Sequence, residues 1–165
     1  MDNDLIAMIF SDQQAALDVM RALKWMRTSQ FLGPMNAVPV TRDRKGTVTI
    51  HLRWQPGSDP GASGDQMPSI VANAIFGKSS EEKMQKLIDV ADMSESFLRR
   101  LEADLVPGSS MVLAYIRSDT LVDTQQFLDA ISDFRGTVYQ TTVSDEVEQI
   151  IMKQLRNRGP FSRQK

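Results

Sequence analysis

A single histidine, His51, is the first candidate for chemistry, because few other side chains titrate near neutrality. A Ser–His arrangement or a histidine metal site would have to use it. It lies in "TVTIHLRW" (47–54), where polar and apolar residues alternate as on a half-buried strand. A partly exposed strand residue is the plainer account of it. Gly108-Ser109-Ser110 is the stretch to weigh as a nucleophile elbow. That triplet precedes a strand, whereas a nucleophile elbow joins strand to helix. It reads as a helix C-cap and turn. The absence of cysteine excludes thiolate ligands, thiol nucleophiles and disulfides. Asp12, Glu95, Asp145 and Glu146 all fall at the starts of expected helices, where a carboxylate complements the helix dipole. "PGSDPGASG" lacks the strand-then-helix frame of a dinucleotide site and the lysine of a P-loop. No catalytic set, cofactor site or metal loop emerges, so the chain reads as a non-enzyme.

Nucleic acid is a separate possibility, because small antiparallel sheets bind RNA through surface aromatics. "KGTVTIHLRW" carries Thr, Val and Ile where those aromatics belong, and the apolar strands offer only Phe10 and Tyr115. Nucleic-acid binding is therefore not expected.

The elements around these residues follow from their patterns. "DLIAMIF" (4–10) and "MVLAYI" (111–116) are continuous apolar runs and read as strands buried on both faces. "MNAVPVTRD" is a further strand, and Pro39 within it points to an edge position. "DRKG" turns the chain into the strand holding His51. "GTVYQTTV" alternates as a last strand. Ser11 or Asp12 opens a helix with Ala16, Val19, Met20, Leu23 and Met26 on one face. Ser94 and Ser144 read as further N-caps. Phe127, Leu128, Ile131 and Phe134 mark another helix.

"MIFSD" and "YIRSD" are the same junction, and each opens a strand, helix, strand unit. The expected fold class is α+β: a ferredoxin-like sandwich of two βαβ units around an antiparallel sheet. The first strand of each unit should be central and the second strands should form the edges. Extra helices are expected at 68–105 and 144–157. At 165 residues the chain fits one domain, 1–158, followed by a basic disordered tail, 159–165. The opening Met1-Asp2-Asn3-Asp4 is acidic, so no secretory leader is expected.

One stretch stands apart. "PGSDPGASGDQMPSIVANAIFG" (56–77) passes from a Gly/Pro/Ser leader to a short apolar run that stops at a glycine. The segment 56–79 reads as a flexible insertion carrying a short apolar helix. Met67, Ile70, Val71, Ala74, Ile75 and Phe76 are expected to dock on a second copy or a partner; the alternative is that the run tucks under the hairpin of residues 35–54 as core.

Three motifs carry a family resemblance: Leu105-x-Pro-Gly-Ser-Ser before an apolar strand, Phe134-x-Gly-Thr-Val before another, and Thr142-x-Ser-Asp-Glu opening the last helix. With "LIAMIFSDQQAALDVMRAL" and "TRDRKGTVTIH", they make the chain resemble the bacterial domain-of-unknown-function family twelve-sixty-nine, labelled "predicted membrane protein". The likeness covers most of the chain outside residues 56–90. Such relatives carry a long Gly/Ala-rich apolar segment after the hairpin, and here "SIVANAIFG" looks like a reduced remnant of it. A bilayer span needs about 20 apolar residues, and this run is far shorter. The resemblance transfers no activity.

Two surface features remain. Trp25 lies about half a turn from the Ala16–Met20–Leu23 stripe, which suggests a contact surface. Net charge is −2, but Lys153, Arg156, Arg158, Arg163 and Lys165 follow the last acid, leaving 14 basic against 21 acidic residues before them. The plain reading of that tail is a solvated basic terminus; the functional one is an electrostatic tether to phosphates of an anionic membrane or of nucleic acid. The expectation is a binding or assembly module that self-associates or docks to a protein partner. The alternatives are a small-molecule-sensing regulatory domain and a peripheral membrane adaptor. The expected location is the cytoplasm, with peripheral contact at the inner face of a membrane as a further option.

Overall fold

A computed structural model describes residues 2–28, 36–51, 67–118 and 124–155. Its strands are β1 (Asp2–Phe10), β2 (Asn36–Arg42), β3 (Val48–Ile50), β4 (Ser110–Ile116) and β5 (Thr137–Ser144). Its helices are α1 (Ala15–Thr28), α2 (Met67–Phe76), α3 (Ser80–Asp89), α4 (Glu95–Asp104), α5 (Thr124–Ala130) and α6 (Asp145–Leu155). A single 3-10 turn, Ser132–Phe134, follows α5. The expected tail and the leader of the insertion, 56–66, lie outside the described residues.

The strands form one antiparallel sheet in the order β3-β2-β4-β1-β5. The two apolar runs, β1 and β4, are neighbours in its middle, as their composition demands. A strand that is apolar at every position needs cover on both faces. Strand alternation divides that demand. Ile6, Met8, Phe10, Val112, Ala114 and Ile116 pack under α1 and α5. Leu5, Ala7, Ile9, Met111, Leu113 and Tyr115 pack under α2, α3, α4 and α6. Gly136 lets β5 approach closely, since a Cβ there would sit 2.3 Å from the Met8 Cγ and 2.7 Å from the Phe10 ring.

β2 is not an edge strand. It runs between β3 and β4, and β3 takes the edge instead. Pro39 is tolerated there for a directional reason. Arg42 donates its backbone N–H to the Ser109 carbonyl, so Arg42, Val40 and Val38 turn their main-chain groups toward β4. Pro39, one residue out of step, faces β3, where its carbonyl accepts from His51 N at 2.9 Å. The donor that proline lacks is therefore missing just where β3 ends, after three residues. The hairpin turn is held by Asp43, whose carboxylate accepts from the backbone of Lys45 and Thr47, both at 2.9 Å. Gly46 occupies the left-handed region, with φ 95°.

In the unit containing β4 and β5, the helix marked by Phe127, Leu128, Ile131 and Phe134 is α5 followed by the 3-10 turn, and residues 119–123 before it lie outside the described residues. Ser94 and Ser144 are N-caps as expected, accepting from Phe97 N at 3.2 Å and Val147 N at 3.1 Å.

The apolar run of the insertion is core, contrary to the expectation of a docking element. Met67, Ile70, Val71, Ala74 and Ile75 are at most 3% exposed, and Phe76 packs partly buried against the same cluster. α2 touches β2, β3, β4, α3, α4 and α6. With Ser69 and Asn73 its only polar side chains, α2 has almost no solvent face to offer, so enclosure is its stable state. Among the described residues no helix is long and apolar enough to cross a membrane. Ile70→Ala is expected to lower stability by about 2–4 kcal/mol through lost burial and the cavity left behind. Urea denaturation followed by circular dichroism checks it, and a loss under about 0.5 kcal/mol would mean that α2 is not core.

Candidate functional site

The richest polar cluster lies where β1 begins, β4 ends and α6 begins. The β1–β4 register sets Asp4 opposite Ile116, which brings Asn3 level with Arg117. The β1–β5 register sets Asp2 opposite Ser144, so the first turn of α6 arrives at the same place. Tyr115 projects from β4 on the α6 side of the sheet.

Asn3 is 1% exposed and fully used. Its amide donates to the Val143 carbonyl at 3.1 Å and to Asp145 Oδ1 at 3.0 Å. Its oxygen accepts from Ser118 N at 2.9 Å and from the Ser118 hydroxyl at 3.4 Å. Glu148 is gripped from two sides. Arg117 Nη1 reaches both of its oxygens at 2.5 Å, and the Tyr115 hydroxyl donates to Oε1 at 2.5 Å. Arg117 Nη2 also lies 3.8 Å from Asp145. Nearby, the Thr124 hydroxyl donates to Asp4.

The electrostatics follow from these contacts. Burial pushes the Tyr115 phenol well above its usual range, and the Glu148 carboxylate it faces adds to the shift. The phenol therefore stays a neutral donor. The Asn3 amide, with Arg117 assisting, holds the Asp145 carboxyl below the ordinary carboxylate range. Both oxygens of Glu148 are already engaged by a cation or a phenol, so the cluster works as a clamp fastening α6 to the sheet.

His51 forms a separate pair. Its Nε2 lies 2.8 Å from the Thr41 hydroxyl, and burial lowers its pKa. The Ser109 hydroxyl donates to the Val106 carbonyl at 2.5 Å, closing the turn after α4. The Ser110 hydroxyl donates to the Asp12 carbonyl at 2.6 Å and accepts from Ala16 N at 3.0 Å, so it caps α1 from across the fold. Neither serine meets the histidine in these bonds. Of the carboxylates read as dipole partners, Asp12 also accepts from Gln14 N at 2.9 Å, and Glu95 lies 3.7 Å from Arg99. Among the described residues no group of three His, Cys, Asp or Glu side chains could hold a metal ion. Every fully buried side-chain polar atom there has a partner.

The sequence-derived contact residues do not converge. The α2 side chains lie inside the core, while Trp25 stands 61% exposed on α1. Lys153 is exposed on α6, and Arg156, Arg158, Arg163 and Lys165 lie outside the described residues. The clamp of Asn3, Tyr115, Arg117 and Glu148 escaped the sequence reading. Its one local signal was the tyrosine-to-arginine close of an otherwise apolar strand. No family model, curated protein or solved structure matches the chain.

Two outcomes test this chemistry. Glu148→Gln removes the charge facing Arg117 and should cost about 1–2 kcal/mol, the range for a charged hydrogen bond discounted for partial exposure. Equilibrium denaturation reads it, and no loss would mean that the clamp is not engaged. The only histidine gives a clean NMR titration, and its midpoint should fall below 6.5. With the folded value depressed, its contribution to stability is fully present above the unfolded pKa of about 6.5. It declines as pH falls toward the folded value, because the unfolded chain binds the proton more readily.

Proposed function

We propose that the protein is a non-enzymatic binding or assembly module acting through self-association or docking to a larger complex. The observation that carries this reading is the closure of the polar cluster upon itself. These hydrogen bonds of Asn3, Tyr115, Arg117 and Glu148 run to one another, to Asp145, to Ser118 and to the backbone. A catalytic cluster keeps a base or nucleophile available to substrate. The exposed Trp25 adds a contact residue of a type enriched at protein interfaces.

Within this proposal the fold is ferredoxin-like with an added hairpin strand. The order β2-β4-β1-β5 supports that reading, with α1 and α5 on one face. The resemblance to domain-of-unknown-function family twelve-sixty-nine belongs to the same proposal and rests on the three sequence motifs alone.

Light scattering after gel filtration should give a mass above that of the 18.5 kDa chain, alone or with a co-purifying partner. Trp25→Ala should change stability by less than about 0.5 kcal/mol, as for an exposed site, and should weaken the association. A chain that stays monomeric without a partner, yet gains melting temperature with one class of small molecule, would replace this reading with a sensor. Pelleting with anionic liposomes would replace it with a membrane adaptor.

A further inference from the structure

We infer that β5 is a dimerisation edge, pairing antiparallel with β5 of a second copy about a two-fold axis at Gln140 to make one ten-stranded sheet. The inference rests on the self-association branch of the function proposed above and names its surface.

The two edges of the sheet differ. β3 is three residues long and ends where Pro39 offers no donor. β5 is eight residues long, and its sequence, Thr-Val-Tyr-Gln-Thr-Thr-Val-Ser, contains neither charge nor proline. Natural sheets usually guard a long edge with exactly those residue types, and this one does not.

The hydrogen-bond direction of β5 follows from the registers. Val40 and Val38 face β4 and pair there with Met111 and Leu113. Val112 and Ala114 then face β1, meeting Met8 and Ile6. Leu5, Ala7 and Ile9 are left to face β5, where they meet Thr141, Tyr139 and Thr137. By the alternation of antiparallel ladders, Val138, Gln140 and Thr142 turn their N–H and C=O groups outward.

A second copy is the occupant these residues fit. Antiparallel pairing centred on Gln140 sets Val138 against Thr142 of the second copy, Tyr139 against its Thr141, and Gln140 against its counterpart. Residues of equal parity meet, so each sheet face continues across the junction. The centre also uses every outward-facing group from Gly136 to Ser144. Charge at the ends is complementary: Arg135 precedes β5, while Asp145 and Glu146 follow it. Antiparallel pairing lays the basic end of each strand against the acidic end of the other. Along the strand no like charges meet. The side chains at the edge are exposed at Val138, Gln140 and Thr142, and Tyr139 is held from behind by its hydrogen bond to Asp104 and by Arg100, 5.8 Å from its ring centre. Among the described residues β3 offers an edge of only three residues, and a two-fold β5 pairing uses the same edge of both copies, so the assembly closes at two copies.

The test uses the full chain and two variants, Gln140→Lys and Gln140→Glu. Wild type should scatter as a dimer of about twice 18.5 kDa. Each variant alone sets like charges against each other at the axis and should dissociate at least about tenfold more readily. Mixing the two should restore a heterodimer, which misfolded variants could not do. A dimer indifferent to both variants would overturn the β5 edge while leaving self-association standing. A wild-type monomer that co-purifies with a fixed partner would overturn the edge and leave docking as the function. A wild-type monomer without any partner would overturn both readings.

Discussion

An unbroken apolar run in a strand must be roofed twice, and this chain has two such runs side by side, residues 5–10 in β1 and 111–116 in β4. That requirement organises everything else. Leu5, Ala7 and Leu113 on one side and Ile6, Ala114 and Ile116 on the other are all at most 3% exposed. Each large side chain buried in this way contributes about 1.5–3 kcal/mol relative to exposure. One roof is made by α1 and α5. The other needs more material, and α2 supplies its centre while α3, α4 and α6 close around it. Hence a ten-residue helix whose only polar side chains are Ser69 and Asn73 can exist in a chain of ordinary composition: the sheet and the outer helices leave it little solvent to meet.

Much of this was legible locally. β1 and β4 announced themselves as unbroken apolar runs, and Ser94 and Ser144 as caps, because both signals are local in the chain. The role of α2 was not legible. Its residues carry no helical stripe, and whether a predominantly apolar helix is core or contact surface depends on what lies across from it. Pro39 misled for a sharper reason. The usual inference treats proline as barred from interior strands, but the constraint concerns the side on which the donor is missing. Here that side faces His51, the residue just after β3 ends. α5 was overextended because Ile131 and Phe134 continue a helical spacing that the chain actually completes with a 3-10 turn.

The polar clamp illustrates a different limit. Asn3, Tyr115 and Glu148 each have an innocuous local reading as a strand start, a strand residue and a helix-face carboxylate. Their partnership spans more than a hundred residues and is created by register alone. Nothing in their spacing encodes it. Two antiparallel pairings that share β1 bring the three chain segments to one end of the sheet. The clamp therefore depends on the sheet's correct alignment, and a slip of one residue would point Tyr115 toward the opposite roof.

The hydroxyl of Ser110 has a kinetic meaning. It bonds both the Asp12 carbonyl and the Ala16 amide, reaching across 94 positions of chain to the latter. The first turn of α1 thus lacks part of its cap until β4 is in place. Local helix formation and long-range sheet assembly become a single event at this point, and the amide of Ala16 becomes a reporter of both. Solvent exchange there should follow the opening of the β4 end more closely than the fraying of α1 itself, so the two strand–helix units share one cooperative transition.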